Sequence, residues 1–118
     1  MNNQHLRTGL AAEKRACLFL QKKGFKLLAR NYRWQRGEID LIMKKKDTIV
    51  FIEVRYRHYD THGSAEESVS INKQKKIIAT AKHYLLKNNL YEKANCRFDV
   101  IAINHHQLTW HPNSFHAH

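Results

Sequence analysis

The chain has 118 residues, 42% of them hydrophobic, which is enough to bury the core of one domain but not of two. Lysine and arginine number 21 against 10 aspartate and glutamate residues, a formal net charge of +11 at pH 7. This composition excludes an intrinsically disordered chain, and no apolar run reaches the roughly 18 residues of a membrane span, so we expect a single domain over residues 1–118.

The first predicted element is a helix over residues 5–23. At about 100° per residue, one narrow stripe of this helix is apolar. It contains Leu6, Leu10, Cys17 and Leu20. Glu13 lies in the middle of that stripe, and Gly24 stands where a glycine would end the helix.

Three strands are predicted next. A short one lies around residues 32–34, and two stronger ones over 39–43 and 49–56 are rich in β-branched and apolar residues. Residues 44–47 supply the turn between the stronger pair. The polar stretch 58–70 shows no periodicity and is interpreted as a mobile loop.

The second half of the chain predicts a helix, a strong strand and a weaker strand, over residues 71–88, 97–104 and 107–111. The order of helices and strands is typical of an α/β fold in which helices pack against a mixed β-sheet.

Two carboxylates interrupt the strongest strands. With a hairpin centred between Lys45 and Lys46, Asp40 faces Phe51 and lies on the same face as Glu53, two residues along. Such a diagonal separates backbones by about 7–8 Å, so the two carboxylates could share one cation.

Hard divalent cations take oxygen ligands, and Mg²⁺ commonly takes one or two carboxylates with waters. Asp40, Glu53 and the carbonyl of Val54 therefore predict part of a site for Mg²⁺ or Mn²⁺, to which Glu13 could add a third carboxylate. Arg55 beside them could hold a phosphate. The residues alone leave two alternatives open: a cross-strand ion-pair ladder, and a salt bridge between Glu13 and an arginine elsewhere.

The excess of positive charge favours a polyanionic partner, because neutralising phosphates releases condensed counterions. Nucleic acid fits better than a membrane surface, since no segment combines an apolar face with a basic one and anchoring aromatics. We expect a cytoplasmic protein, because the N-terminal residues do not look like a signal peptide and Cys17 and Cys96 predict buried free thiols.

Several short segments form a recognisable series along the chain. They are Gly9 with Ala12-Glu13, Gly24-Phe25, Asn31-Tyr32-Arg33, GEIDLI at 37–42, FIEVRYR at 51–57, Lys73-Gln74, RFDV at 97–100 and Asn113-Ser114-Phe115. Over nearly the whole chain they resemble the YraN-like family of small, uncharacterised bacterial proteins. The spacing of GEIDLI and FIEVRYR is the most specific part of the resemblance.

That family in turn resembles the PD-(D/E)xK superfamily, most closely the archaeal Holliday-junction resolvases. This implies a restriction-endonuclease-like core and metal-dependent cleavage of DNA, with Glu13, Asp40 and Glu53 as the acids of the motif. The lysine expected after Glu53 is replaced by Arg55, which can stabilise charge but stays protonated and cannot act as a base. Lys73, at the start of the second helix, could supply the missing lysine or remain an ordinary surface residue.

Contacts to nucleic acid are assigned by the same resemblance to Arg55 and Lys73, with Arg57 and Gln74 on weaker grounds. Arg97 and Asp99 also match the family, and an internal ion pair explains them equally well.

Two functions remain open at this stage. The first is a Mg²⁺-dependent endonuclease acting on DNA, more than on RNA, and on branched DNA in particular. The alternative is a non-catalytic nucleic-acid-binding module that retains the nuclease fold. Paired nicks at a four-way junction would require a homodimer, and the sequence leaves the oligomeric state open.

Overall fold

The computed structural model describes residues 3–56 and 69–117, with side chains described from residue 9 onward in the first helix. Arg57 and the predicted loop up to residue 68 lie outside these ranges. The elements are helix α1 (Asn3–Lys22), strands β1 (Lys26–Trp34), β2 (Gly37–Lys45) and β3 (Thr48–Tyr56), helix α2 (Ile71–Lys87), and strands β4 (Asn95–Ile103) and β5 (Leu108–Phe115).

The five strands form one mixed sheet in the order β1-β2-β3-β4-β5. β1, β2 and β3 form an antiparallel meander, β4 runs parallel to β3, and β5 returns antiparallel to β4. The parallel step follows from the intervening helix, since parallel neighbours need a crossover connection. The predicted mixed sheet with flanking helices is confirmed, and the arrangement is compatible with a restriction-endonuclease-like core.

A hydrophobic layer lies on each face of the sheet. On the α2 face, Phe51 stacks on Phe98 with ring centroids 5.4 Å apart, within a cluster that includes Ile77 and Leu85 of the helix. The other face packs sheet residues such as Ile52 against α1. Neither helix within the described ranges is long and apolar enough to cross a membrane.

The buried face of α1 differs from the predicted stripe. Cys17 and Leu20 are buried as expected, but Leu10 is 53% exposed. The helix meets the sheet through Ala12 and Ala16, whose small side chains allow close contact and turn Leu10 toward solvent. Both cysteines are free as predicted, but Cys96 is exposed rather than buried.

Some of the predicted helix and strand ends agree with the structure and others do not. Gly24 follows the end of α1 with φ of 93°, a backbone conformation that suits glycine. The strand predicted for residues 32–34 is much longer, because β1 pairs with β2 along Lys26–Trp34. The last strand also continues past residue 111 to Phe115.

The predicted hairpin register is wrong by two residues. The chain turns at Lys46 and Asp47, Lys46 has φ of 55°, and Lys45 pairs with Thr48. A shift of two residues keeps each side chain on its predicted face, since the strand repeat is two. It places Asp40 and Glu53 directly beyond Leu41 and Ile52, the last residues paired in this ladder, so they lie closer together than predicted.

Helix α2 packs very closely on the start of β2. A Cβ added at Gly37 would lie 2.0 Å from the Thr80 hydroxyl and 2.7 Å from the Lys76 carbonyl oxygen. The Thr80 hydroxyl is fully buried and donates to that same carbonyl at 2.7 Å. Glycine at position 37 therefore sets how near α2 comes to the sheet.

We expect Gly37→Ala to lower the free energy of unfolding by about 1–3 kcal/mol, because the added methyl would force the helix away from the sheet. Thermal unfolding followed by circular dichroism would measure this as a lower Tm. Gly9→Ala is the matched control: a Cβ there meets nothing within 4 Å, and alanine in a helix is favoured by up to about 1 kcal/mol. An unchanged Tm for Gly37→Ala would contradict the close packing.

Candidate active site

A cavity of about 350 Å³ opens between the N-terminal end of α2 and the middle of β2 and β3. Carboxylates of β2 and β3 line one side, cations and polar groups of α2 and its cap line the other, and Arg36 comes from the turn between β1 and β2. The lining residues are Arg36, Glu38, Asp40, Glu53, Ser70, Asn72, Lys73, Lys76 and Ile77. We call this the acidic cavity.

The strand bearing Asp40 breaks its alternation at this residue. Ile39 packs in the α2 layer, whereas Leu41, two residues later, packs in the α1 layer. Asn31, which lies on β1 between the paired residues opposite this point, has φ of 49°. At this irregular position the Asp40 side chain extends toward β3, where its Oδ2 accepts a hydrogen bond of 2.7 Å from the Val54 N–H.

Asp40 and Glu53 form a pair of carboxyl groups in direct contact. Burial, followed by the hydrogen bond with Glu53 and its charge, raises the pKa of Asp40 from 3.8 to about 9, against the lowering by the Val54 N–H. Asp40 therefore keeps its proton at neutral pH in the metal-free protein. Two carboxyl groups this close resist double ionisation, because the negative charge of one disfavours the charge of the other.

Two cations face the buried Glu53, whose side chain is 4% exposed. The Lys73 Nζ forms an ion pair with Glu53 Oε2, and Arg55 Nη1 lies 3.5 Å from the same oxygen. Ser70 caps α2 by accepting from the Lys73 N–H at 3.1 Å, which places Lys73 in the first turn above the carboxylates. The sequence left Lys73 open as a site lysine or an ordinary surface residue, and the structure brings it into the cavity.

Glu13 lies beside this pair rather than within it. Its charge contributes to the raised pKa of Asp40, and its Oε1 accepts from Asn31 Nδ2 at 3.0 Å. The same amide donates to Glu38 Oε1 at 3.1 Å, so Asn31 bridges two acids. Glu38 also lies 3.4 Å from Arg33 and is a site residue that sequence reasoning missed. Its position two residues before Asp40 on one strand was the available signal.

Asp40 and Glu53 fit a hard divalent cation by the chemistry of their donors. Within residues 3–56 and 69–117, no group of three His, Cys, Asp or Glu side chains is placed to hold one metal. Two carboxylates nevertheless match the donor set that Mg²⁺ commonly uses, with waters and phosphate oxygens completing the shell. In the metal-free protein, the proton on Asp40 removes negative charge that a bound metal would otherwise neutralise.

The remaining predicted residues have other partners. Gln74 donates from Nε2 to the Val69 carbonyl at 2.9 Å, and so holds the chain leading into α2. Arg97 forms two hydrogen bonds with the fully buried Asp99, of 3.0 and 3.2 Å, which is the internal ion pair that the sequence left open as an alternative to a role at the site. Arg57 falls outside the described residues.

Comparison with protein families gives one match that covers most of the chain. The model described as "Uncharacterised protein family UPF0102" matches residues 12–103, which include Glu13, Asp40, Glu53 and Lys73.

Curated relatives match over nearly their full length. A UPF0102 protein from Psychromonas ingrahamii is 49% identical over 109 residues, covering 91% of this chain and 88% of the relative. UPF0102 proteins from Coxiella burnetii (strain RSA 331 / Henzerling II) and Pseudomonas fluorescens (strain Pf0-1) are 45% and 42% identical, covering 90% and 97% of this chain and 89% and 97% of theirs.

The raised pKa of Asp40 predicts a specific effect of pH on the metal-free protein. The folded state binds a proton that the unfolded chain releases near pH 3.8, so the stability from this group is complete below pH 3.8 and is lost as pH rises toward about 9. Asparagine at position 40 mimics the protonated acid, since it can accept from Val54 and donate to Glu53.

In the presence of a chelator, Asp40→Asn should therefore gain about 1–3 kcal/mol relative to wild type between pH 5 and pH 9, measured by chemical denaturation at both values. Asp47→Asn, in the exposed hairpin turn, is the matched control and should show no such gain. Equal pH profiles for wild type and Asp40→Asn would show that Asp40 ionises normally.

Proposed function

This chain belongs to the uncharacterised protein family UPF0102, the YraN-like family, and from that premise we propose that it is a Mg²⁺-dependent nuclease that hydrolyses phosphodiester bonds in DNA. The observation that carries the proposal is the Asp40–Glu53 carboxyl pair in a cavity that also holds Lys73. A partly buried pair that retains a proton at neutral pH is costly, and a divalent cation would relieve that cost.

Asp40 and Glu53 would hold the metal. When bound, Mg²⁺ would supply Lewis-acid charge at the scissile phosphate and lower the pKa of a water. The Val54 N–H fixes Asp40 Oδ2, so one ligand is oriented before the metal arrives. Glu13 adds negative charge near Asp40, which favours a cation further.

Lys73 and Arg55 supply the positive charge of the chain itself. Both face Glu53 Oε2, so both lie beside the position where a phosphate would meet the metal. Arg55 can pair with phosphate oxygens and stabilise the negative charge of the transition state, but it does not exchange protons. Lys73 can orient the attacking water through its three N–H donors.

The helix side of the acidic cavity suits a phosphate group. Ser70 and Asn72 stand at the N-terminus of α2, where unpaired N–H groups and the helix dipole favour anions. Arg36 and Lys76 are exposed at the rim and extend the positive charge outward. A DNA backbone could therefore approach over α2 with its phosphate directed at the carboxylates.

The alternative of a non-catalytic binding module rests on Arg55 in the lysine position of the motif. Against it stands the cost of holding Asp40 against the buried Glu53, since carboxylates repel phosphate unless a cation lies between them. Lys73 restores a lysine to the site from another element, which favours catalysis.

The proposal predicts metal-dependent cleavage of a labelled DNA panel of duplex, single-stranded, flap and four-way-junction molecules. Glu53→Gln and Asp40→Asn should lower the rate at least about 100-fold, because each removes a metal-binding charge while keeping the side-chain shape. Both variants should still bind DNA in a chelator, as measured by fluorescence anisotropy.

Lys73→Met tests the second part of the assignment and should reduce the rate by about 100-fold at saturating Mg²⁺. Lys75→Met is the matched control, because Lys75 is an exposed lysine on the same helix outside the cavity lining, and its rate should stay within about twofold of wild type. Binding without cleavage by wild-type protein, in both Mg²⁺ and Mn²⁺, would replace the nuclease with the binding module.

A further inference from the structure

A second cavity, of about 500 Å³, lies alongside the acidic cavity. Its lining residues are Trp34, Gln35, Arg36, Gly37, Lys76, Ala79 and Thr80. Arg36 and Lys76 line both cavities, so the two are neighbours that share a pair of cations. We call the second one the Trp34 cavity.

One face of the Trp34 indole packs against other side chains of the protein. Trp34 stacks on the His83 ring, with centroids 4.9 Å apart and planes 14° apart. His83 Nδ1 forms a hydrogen bond of 2.7 Å with the Tyr32 hydroxyl, and Tyr32 packs edge-on against the buried Tyr84 at 5.2 Å. One face of Trp34 is thus fixed on the protein, while the residue lines an open cavity with a partly exposed side chain.

We propose that the Trp34 cavity binds an unpaired nucleobase of the DNA strand whose phosphate enters the acidic cavity, with the base stacked near the Trp34 indole. The choice of DNA rests on the proposed nuclease function, and the stacking itself rests on the cavity. The protein then acts where a strand leaves a duplex, because a paired base is already stacked inside the duplex and would have to leave it to stack on Trp34.

The chemistry of the lining favours a nucleotide over an acidic peptide or a lipid. An aromatic ring beside two cations matches a base beside its phosphates, and stacking on an aromatic side chain contributes about 1–3 kcal/mol for any base. Arg36 and Lys76 are placed to hold the phosphate between the two cavities, since they contact both. Gln35 lies at the exposed rim, where its amide could meet the polar edge of a base.

At the wall of the Trp34 cavity, the backbone of β2 and helix α2 lie very close together. Gly37 forms part of the wall, and α2 lies so near that a methyl group would not fit against Thr80 there. The wall formed by Gly37, Ala79 and Thr80 carries small side chains only, which leaves the space beside the indole open.

The experiment measures binding in a chelator, so that it does not depend on cleavage. The probe is a short duplex with a single-stranded overhang that carries 2-aminopurine at successive positions. At the position that enters the Trp34 cavity, stacking should quench 2-aminopurine fluorescence, whereas the same base inside the duplex should not respond. A second probe has an abasic site at the quenched position.

Trp34→Ala should weaken binding of the base-bearing overhang by roughly 5- to 150-fold and that of the abasic overhang by less than about twofold. Trp34→Phe should retain most of the affinity, because a phenyl ring still stacks. Tyr91→Ala is the matched control: Tyr91 is a partly exposed aromatic residue near Lys82, outside both cavities, and its loss should change neither probe.

Three results would overturn the proposal. The first is an equal loss of affinity for the base-bearing and abasic probes in Trp34→Ala. The second is the absence of quenching at every overhang position with wild-type protein. The third is displacement of an unquenched overhang by an acidic peptide. The quenching measurement uses wild-type protein and so decides the matter even if Trp34→Ala fails to fold. Quenching and base-dependent binding without any cleavage in Mg²⁺ would reject the nuclease while keeping the base-binding cavity.

Discussion

The contact between Asp40 and Glu53 is the constraint on which the rest of the site depends. The fold buries another acid, Asp99, and provides it with donors from Arg97, the Trp110 indole at 2.9 Å and the Asn113 N–H at 2.9 Å. Asp40 receives one backbone donor and a second carboxyl group instead. A carboxylate supplied with donors contributes to the fold, whereas two carboxyl groups held in contact with each other are typical of a functional site.

The surrounding elements keep this unfavourable pair in place. The two hydrophobic layers fix β2 and β3 from both faces, so the strands hold the two carboxyl groups together at the wall of the acidic cavity. Gly37 lets α2 lie close to the start of β2, and the Ser70 cap begins that helix where Lys73 reaches Glu53. The packing that stabilises the domain therefore also maintains the strain of the site, as expected where stability supports function.

Sequence reasoning predicted the parts that depend on local pattern. The order of elements, the mixed sheet and the shared face of Asp40 and Glu53 followed from periodicity, and the face survived a register error because the shift was two residues. Contacts between distant segments could not be read in this way. The Asn31 bridge between Glu13 and Glu38 depends on a left-handed residue in β1, and the exposure of Leu10 depends on alanines meeting the sheet.

Under the proposed nuclease function, the lysine of the site comes from α2 rather than from β3, and this changes what holds it in place. A lysine on β3 would be held by the central strand of the sheet, two residues from Glu53. Lys73 instead belongs to the first turn of α2, and its position depends on the Ser70 cap and on the chain that enters the helix beside Val69. Helix termini fray more readily than central strands. Lys73 therefore stays beside Glu53 only while the first turn of α2 is folded. A phosphate bound at the N-terminus of α2 would stabilise the turn and the lysine together, which links substrate binding to completion of the site.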